Sequence, residues 1–229
     1  MKKMALCCVL ASLVSGSAFA YESRDFILRS GAITVSPEVS SSALALGNTP
    51  LEGTAADVEN GTALSLIGTY MLNNHWGLEV VAATPFSHDL KVSGLGETFD
   101  LGETRHLPPT VLLQYYPLAP SSRVQPYVGV GLNYTVFFDE EIASDANDVF
   151  ATLGATGKAD LSLKNSSGVA AEVGADIAFG ADDRWLFNVA LWWMDIDTKA
   201  RVKVPGVGTV TADVALDPLV YTAGFGYRF

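Results

Sequence analysis

The chain has 229 residues, a formal net charge of −11, 49% apolar residues and only 17% charged ones. That balance excludes a disordered chain, and the lack of any basic patch excludes a nucleic-acid partner. Mean hydropathy is +0.27, yet the one long apolar run stands at the N-terminus, so the remaining apolar side chains need another destination.

Residues 1–20 read as a cleaved signal peptide. Lys2 and Lys3 form a positive start, Met4 to Val14 an apolar stretch, and Ala18-Phe19-Ala20 a small-x-small cleavage site. The stretch is too short to anchor the chain in a bilayer. Cys7 and Cys8 both lie within it, so the mature chain, residues 21–229, carries no cysteine and no disulfide. Loss of the two lysines takes the net charge from −11 to −13.

Beyond residue 20 no apolar run approaches a helical membrane span, and period-two alternation dominates. Phe26 to Val35 carries Arg29 on its small, polar side, and Leu64 to Leu72 carries Ser65 and Thr69. Trp76, Leu78, Val80 and Ala82 oppose Gly77, Glu79, Val81 and Ala83. Thr110 to Tyr116 carries Gln114. Val128, Val130, Leu132, Tyr134, Val136 and Phe138 oppose Gly129, Gly131, Asn133, Thr135 and Phe137. Val169 to Phe179 places Glu172 and Asp176 opposite its valines. Trp185, Phe187, Val189, Leu191 and Trp193 oppose Leu186, Asn188, Ala190 and Trp192. Tyr221 to Phe229 sets Arg228 opposite its aromatics.

These are eight strands, the best of them as long as a tilted strand needs to cross hydrocarbon, roughly ten residues. Arg29, Glu79, Glu172, Asp176 and Arg228 fall on the second parity, and the apolar parity is free of charge. In a soluble sandwich that second face would carry many Lys and Glu. Here it is Gly, Ala, Ser, Thr and Asn with a few charges, which suits a narrow barrel interior where opposite charges pair. A sheet in lipid must close, since lipid satisfies no edge. The fold class is therefore an all-β, eight-stranded antiparallel up-and-down transmembrane β-barrel in one domain.

Aromatics near strand ends (Trp76, Tyr115, Tyr116, Phe138, Trp185, Tyr227, Phe229) suit interfacial girdles. Connections at 73–75, 117–125 and 180–184 are short, whereas 38–60, 88–105 and 139–160 read as longer loops. Residues 204–208 form the tip of a hairpin. Short turns on the periplasmic side would put both termini in the periplasm.

Several short runs, in this order, are similar to the outer-membrane protein W family: Ala82-Ala83-Thr84-Pro85-Phe86, His106-Leu107-Pro108-Pro109-Thr110, Pro126 to Phe138, Leu161-Ser162-Leu163-Lys164, Met194 to Thr198, Asp217-Pro218 and the terminal Gly226-Tyr227-Arg228-Phe229. The resemblance implies an integral barrel of the Gram-negative outer membrane, embedded in lipid and lipopolysaccharide. It also implies a narrow apolar lumen and passive uptake of small hydrophobic solutes. The lumen constriction would fall at Val81 and Trp192, with Ala190 and Met194 on the same inward parity. Val81 is shorter than the leucine anticipated there, and Ser167 stands where relatives often carry tryptophan. The final Phe229 resembles the insertion signal read by the barrel-assembly machinery.

Trp192 and its neighbours have two readings, an apolar gate that cradles ligand or simple filling of a narrow barrel. If the lumen is plugged, the alternative is a structural or receptor barrel whose extracellular loops meet phage, bacteriocin or host surfaces. A soluble exported barrel that carries a lipophilic ligand is a third possibility, separable by fractionation. No catalytic, cofactor or metal site is expected. The acidic run Asp139, Glu140, Glu141, Asp145 and Asp148 lacks the spacing of a calcium loop and reads as solvated. His75, His88 and His106 lack zinc spacing, and the consecutive Ser87-His88-Asp89 lacks triad geometry. Asp195 and Asp197 read as rim acids paired with Lys199 and Arg201. The oligomeric state is not set by the sequence.

Overall fold

The computed structural model describes residues 21–96 and 98–229. The signal-peptide segment, with Cys7 and Cys8, lies outside the described residues. In chain order the strands are β1 (Phe26–Ser36), the two-residue bridges β2 (Ser40–Ser41), β3 (Ala45–Leu46) and β4 (Thr49–Pro50), β5 (Ala55–Val58), β6 (Gly61–Asn73), β7 (Trp76–Ala83), β8 (Phe86–Ser93), β9 (Phe99–Leu107), β10 (Thr110–Tyr115) and β11 (Val124–Ile142). After helix α1 (Ser144–Thr152) come β12 (Asp160–Leu163), β13 (Ser166–Phe179), β14 (Trp185–Met194), β15 (Asp197–Val204), β16 (Gly208–Ala215) and β17 (Leu219–Arg228).

Eight of these close a ring in the order β1-β6-β7-β10-β11-β13-β14-β17, each antiparallel to its neighbours, with β17 returning to β1. They coincide with the eight alternating segments of the sequence. Closure satisfies every strand edge within the ring, which lipid could not do. The apolar parity points outward on seven of the eight: Leu64, Leu66, Val80, Val130, Leu132, Val173 and Phe225 are each about half exposed or more. Strand β1 differs from the sequence reading, since Arg29 shares its inward row with Ile27, Ile33 and Val35 while Ser30, Ala32 and Thr34 lie on the outer row. The other parity points in and is buried. Gly31 and Gly224 face each other in register between β1 and β17, where a Cβ on either would stand 2.6–2.7 Å from the other's Cα.

The segments expected as long loops are mostly strand. The β8–β9 hairpin extends the wall along the upper part of β11, with β5 on its edge. The β15–β16 hairpin, flanked by β12 and by β2–β4, extends the other side. These strands keep period two but reverse its chemistry. On β15 the exposed residues are Asp197, Lys199, Arg201 and Lys203, and the buried ones include Thr198, Val202 and Val204. Water replaces lipid outside this part of the wall, so polar side chains face outward and apolar ones pack within. The two chemistries meet near Pro85, Pro108 and Pro109. There the β7–β10 ladder ends at the Val81–Thr110 pair, and the wall resumes with Phe86 opposite His106. A proline has no N–H to give to a ladder.

Two further details differ from the sequence reading. Tyr116 is fully buried inside the barrel rather than in a girdle, because it ends the inward row Thr110, Leu112, Gln114. Phe138 lies opposite Arg105 in the extension, above the apolar belt.

Candidate functional site

The lower half of the interior is filled by one hydrogen-bonded network. Arg29 on β1 reaches Asp176 on β13 with Nε 3.0 Å from Oδ1 and one terminal nitrogen 2.5 Å from Oδ2. Its other terminal nitrogen donates to Thr69 at 2.7 Å and lies 3.3 Å from Glu79. Gln114 donates to both Glu79 (2.6 Å) and Glu172 (2.9 Å), and accepts from the Tyr116 hydroxyl at 2.8 Å. Asn188 donates to Asp176 and to the Tyr127 hydroxyl, each at 2.8 Å, and Tyr21 donates to Asp176 at 2.5 Å. The guanidinium carbon stands 5.4 Å over the Tyr127 ring. Gly174 makes this packing possible, since a Cβ there would come within 2.5 Å of the Tyr127 hydroxyl. Charges this deep persist only when paired and hydrogen-bonded.

Arg29, Glu79, Glu172 and Asp176 are thus brought together as expected. Arg228 is not. It sits at the turn end of β17 and pairs with Asp25 at 3.1 Å. Its parity is inward, but its height puts it at the rim, away from the network. Phe229 is exposed on the outward face, its N–H donating to the Phe26 carbonyl at 2.9 Å.

Above the network lies the layer of the expected constriction. Val81, Trp192, Ala190 and Met194 all point inward and are buried. Strands β7 and β14 stand opposite each other in the ring, so Val81 and Trp192 face across the lumen. Trp192 is in register with Glu172 and with Val220, and its indole N–H has no partner among the described residues. Asn133 and Thr110 approach the Met194 sulfur at 3.8 and 4.0 Å.

The open space lies higher. An apolar pocket with about 50 Å³ of internal space is bounded by Val35 and Pro218 at the rim and, in the extension, by Leu90, Leu101, Phe137, Leu161, Leu216 and their neighbours. That space is smaller than a preformed small-molecule site, so a solute enters only as the walls part. Val35 and Thr135 stand two residues above the inward Ile33 and Asn133, so the cavity rests on the Trp192–Met194 layer. The sequence reading missed it, although the runs His88-Leu90-Val92 and Thr198-Ala200-Val202 carry the alternation that marks its walls.

Two histidines line the cavity. Their rings are stacked, with centroids 4.8 Å apart and planes at 16°. His88 Nδ1 donates to the Glu59 carbonyl at 2.5 Å. Both lie above the apolar belt. Burial lowers the pKa of His106 to about 3, helped by neighbouring His88, and burial also lowers that of His88. The remaining candidates are surface features. Asp139 pairs with Arg105 at 3.4 Å, Asp145 lies in the first turn of α1, and no group of three His, Cys, Asp or Glu able to hold a metal occurs among the described residues. Lys199 pairs with Asp213 at 3.1 Å instead of with Asp195 or Asp197. Ser167 is exposed beside Tyr134 and lines a shallow outer depression with Val169 and Pro109.

A closed ring of eight strands, lipid-facing outside and polar within, defines an integral β-barrel membrane protein. The family model of the OmpW family matches residues 22–229, and the chain belongs to that family. It is 42% identical to outer membrane protein W of Salmonella typhi and 41% identical to that of Escherichia coli, each over 230 residues and 100% of both chains. The crystal structure of the outer membrane protein OprG from Pseudomonas aeruginosa superposes with a TM-score of 0.84 at 44% identity, covering 93% of this chain and 99% of that one. The protein is an outer-membrane barrel, and these relatives are barrel proteins rather than enzymes.

Proposed function

We propose that the protein is a passive outer-membrane channel for small apolar molecules, which enter the extension cavity from outside. The observation that carries this reading is the almost wholly apolar pocket of the extension, about 50 Å³ of space above the Trp192 layer, which a solute would widen on entry. Transfer of apolar area from water supplies the drive, about 25 cal/mol per Å² buried. Beneath the cavity the Trp192 layer and the Arg29 network leave no straight path along the axis. The interrupted ladder at Pro85, Pro108 and Pro109 favours a sideways exit into lipid at the cavity's base. Val81, Trp192, Ala190 and Met194 then act as the floor that turns the solute outward.

The orientation that fits has the short turns and both termini in the periplasm and the extension outside, with Phe229 serving as the insertion signal for the assembly machinery. The filled lower lumen also suits the second reading, a structural or receptor barrel engaged through its extension. Uptake of an apolar fluorescent probe decides between them, in cells lacking the gene and complemented with wild type or with Ala200→Phe, which fills the cavity. The channel reading expects uptake restored by wild type and lost in the variant, with equal folded barrel in the outer membrane. Equal uptake in all three strains overturns it.

A further inference from the structure

The cavity is apolar except at a few buried side chains: His88, Thr104, His106, Thr135 and Thr198. Most of these spend their hydrogen bonds on the protein. His88 donates to the Glu59 carbonyl at 2.5 Å through Nδ1, while its Nε2 is buried against Gly61 with no partner among the described residues. Thr135 donates to Asn133 Oδ1 and Thr198 to the Lys164 carbonyl, each at 2.7 Å. Thr104 makes a long contact of 3.5 Å to the Arg105 carbonyl. His106 is different. It is 4% exposed, it lines the cavity, and neither ring nitrogen has a hydrogen-bond partner among the described residues. Packing fixes its orientation: Phe86 lies nearly parallel at 5.3 Å and 19°, and Phe137 leans against it at 5.7 Å and 49°.

A buried imidazole with two free nitrogens in an apolar wall costs stability unless something pairs with it. In an otherwise greasy pocket it is the kind of lone polar group that sets orientation and selectivity. We propose that His106 is the specificity-determining residue of this cavity. Its ring edge hydrogen-bonds one hydroxyl, amide or carbonyl group on an otherwise apolar, neutral solute. The cargo class is then phenol- or alcohol-like molecules in preference to bare hydrocarbons. Burial keeps the imidazole neutral at physiological pH, so it offers one donor and one acceptor and attracts no anion by charge. This inference rests on the channel reading only in taking the cavity as the place where solute binds.

The test uses the full mature chain in lipid nanodiscs, with empty nanodiscs as blank. Equilibrium dialysis measures binding of radiolabelled 2-naphthol and naphthalene, which differ by one hydroxyl. Wild type should hold 2-naphthol about tenfold tighter than naphthalene after the blank is subtracted, the worth of one good buried hydrogen bond. His106→Phe should lose that preference and keep naphthalene binding, which also shows that the cavity is intact. His106→Gln should recover part of it. Equal affinity for the two probes in wild type, or a preference that survives in His106→Phe, overturns the assignment and leaves the channel reading standing. A parallel loss of both probes in His106→Phe makes the residue merely structural and also overturns it. Binding of neither probe above the blank by wild type removes the assignment together with the cavity as a solute site.

Discussion

The membrane-embedded half of the barrel and its water-exposed extension are built from the same kind of wall and have opposite interiors. In the lower half, Val130, Leu132 and Phe225 face lipid while Arg29, Glu79 and Asp176 are enclosed. In the extension, Lys199, Arg201 and Lys203 face outward while Val202, Val204 and Val214 are enclosed. Strand β11 runs through both, from outward Val128 and Leu132 and inward Asn133 to inward Phe137, and past an irregularity between Phe138 and Glu141 the exposed residues are Asp139 and Glu141. Period two continues on both sides of that irregularity; what changes is the surrounding solvent. A polar interior can be sealed by hydrogen bonds, and this one is. An apolar interior is held only by packing, and here the packing leaves a small pocket.

Substitutions that treat the two halves alike put this contrast at risk. The largest difference is expected between Arg29→Met and Arg105→Met. The first strands Asp176 and Glu79 without their cation and should cost about 3–5 kcal/mol, whereas Arg105 pairs half-exposed with Asp139 and its loss should cost under about 1 kcal/mol. Urea unfolding midpoints of the refolded chains measure both, and equal shifts would break the contrast. Next comes a lysine placed on each outer face. Val130→Lys in the belt should cost about 2–4 kcal/mol, and Ser162→Lys on exposed β12 should cost nothing measurable by the same assay.

Acid should act on the extension by a smaller amount. His106 is held from its usual 6.5 down to about 3, so below pH 6.5 the unfolded chain takes up a proton that the folded chain refuses. Stability then falls as pH drops, by about 1.4 kcal/mol per unit and about 2 kcal/mol by pH 5, and the decline stops near pH 3. Comparing midpoints at pH 7.5 and pH 5 in wild type and His106→Phe tests the sign, since the variant should lose the share due to His106 and keep that of His88, whose pKa burial also lowers. Smallest is Lys199→Ala, whose exposed pair with Asp213 should contribute no more than about 0.5 kcal/mol in a thermal melt.

Much of the barrel is legible in the chain because period two is a property of the strand itself. Alternation placed Arg29, Glu79, Glu172 and Asp176 on the inner face, and Trp192 and Val81 with them. It gives the face of a residue and not its height, which is why Arg228 was expected in the network and stands at the rim with Asp25. Tyr116 was misplaced because an aromatic beside a turn resembles a girdle residue, although the inward row through Leu112 and Gln114 leads to it. The extension was read as loops because its strands are short, broken by Gly94, Gly102 and the prolines, and carry apolar residues on the face that the barrel reserves for polar ones.

From the sequence alone come the strand count, the lipid-facing parity and the identity of the buried charges, since each follows from local geometry and from what hydrocarbon tolerates. Tertiary structure alone decided which polar groups meet, how high each one sits and where space remains. Those depend on strand register and closure, which bring Arg29 to Asp176 across 147 residues and set His106 beside His88. No periodicity along the chain encodes such distances, because they arise from the packing of strands far apart in sequence.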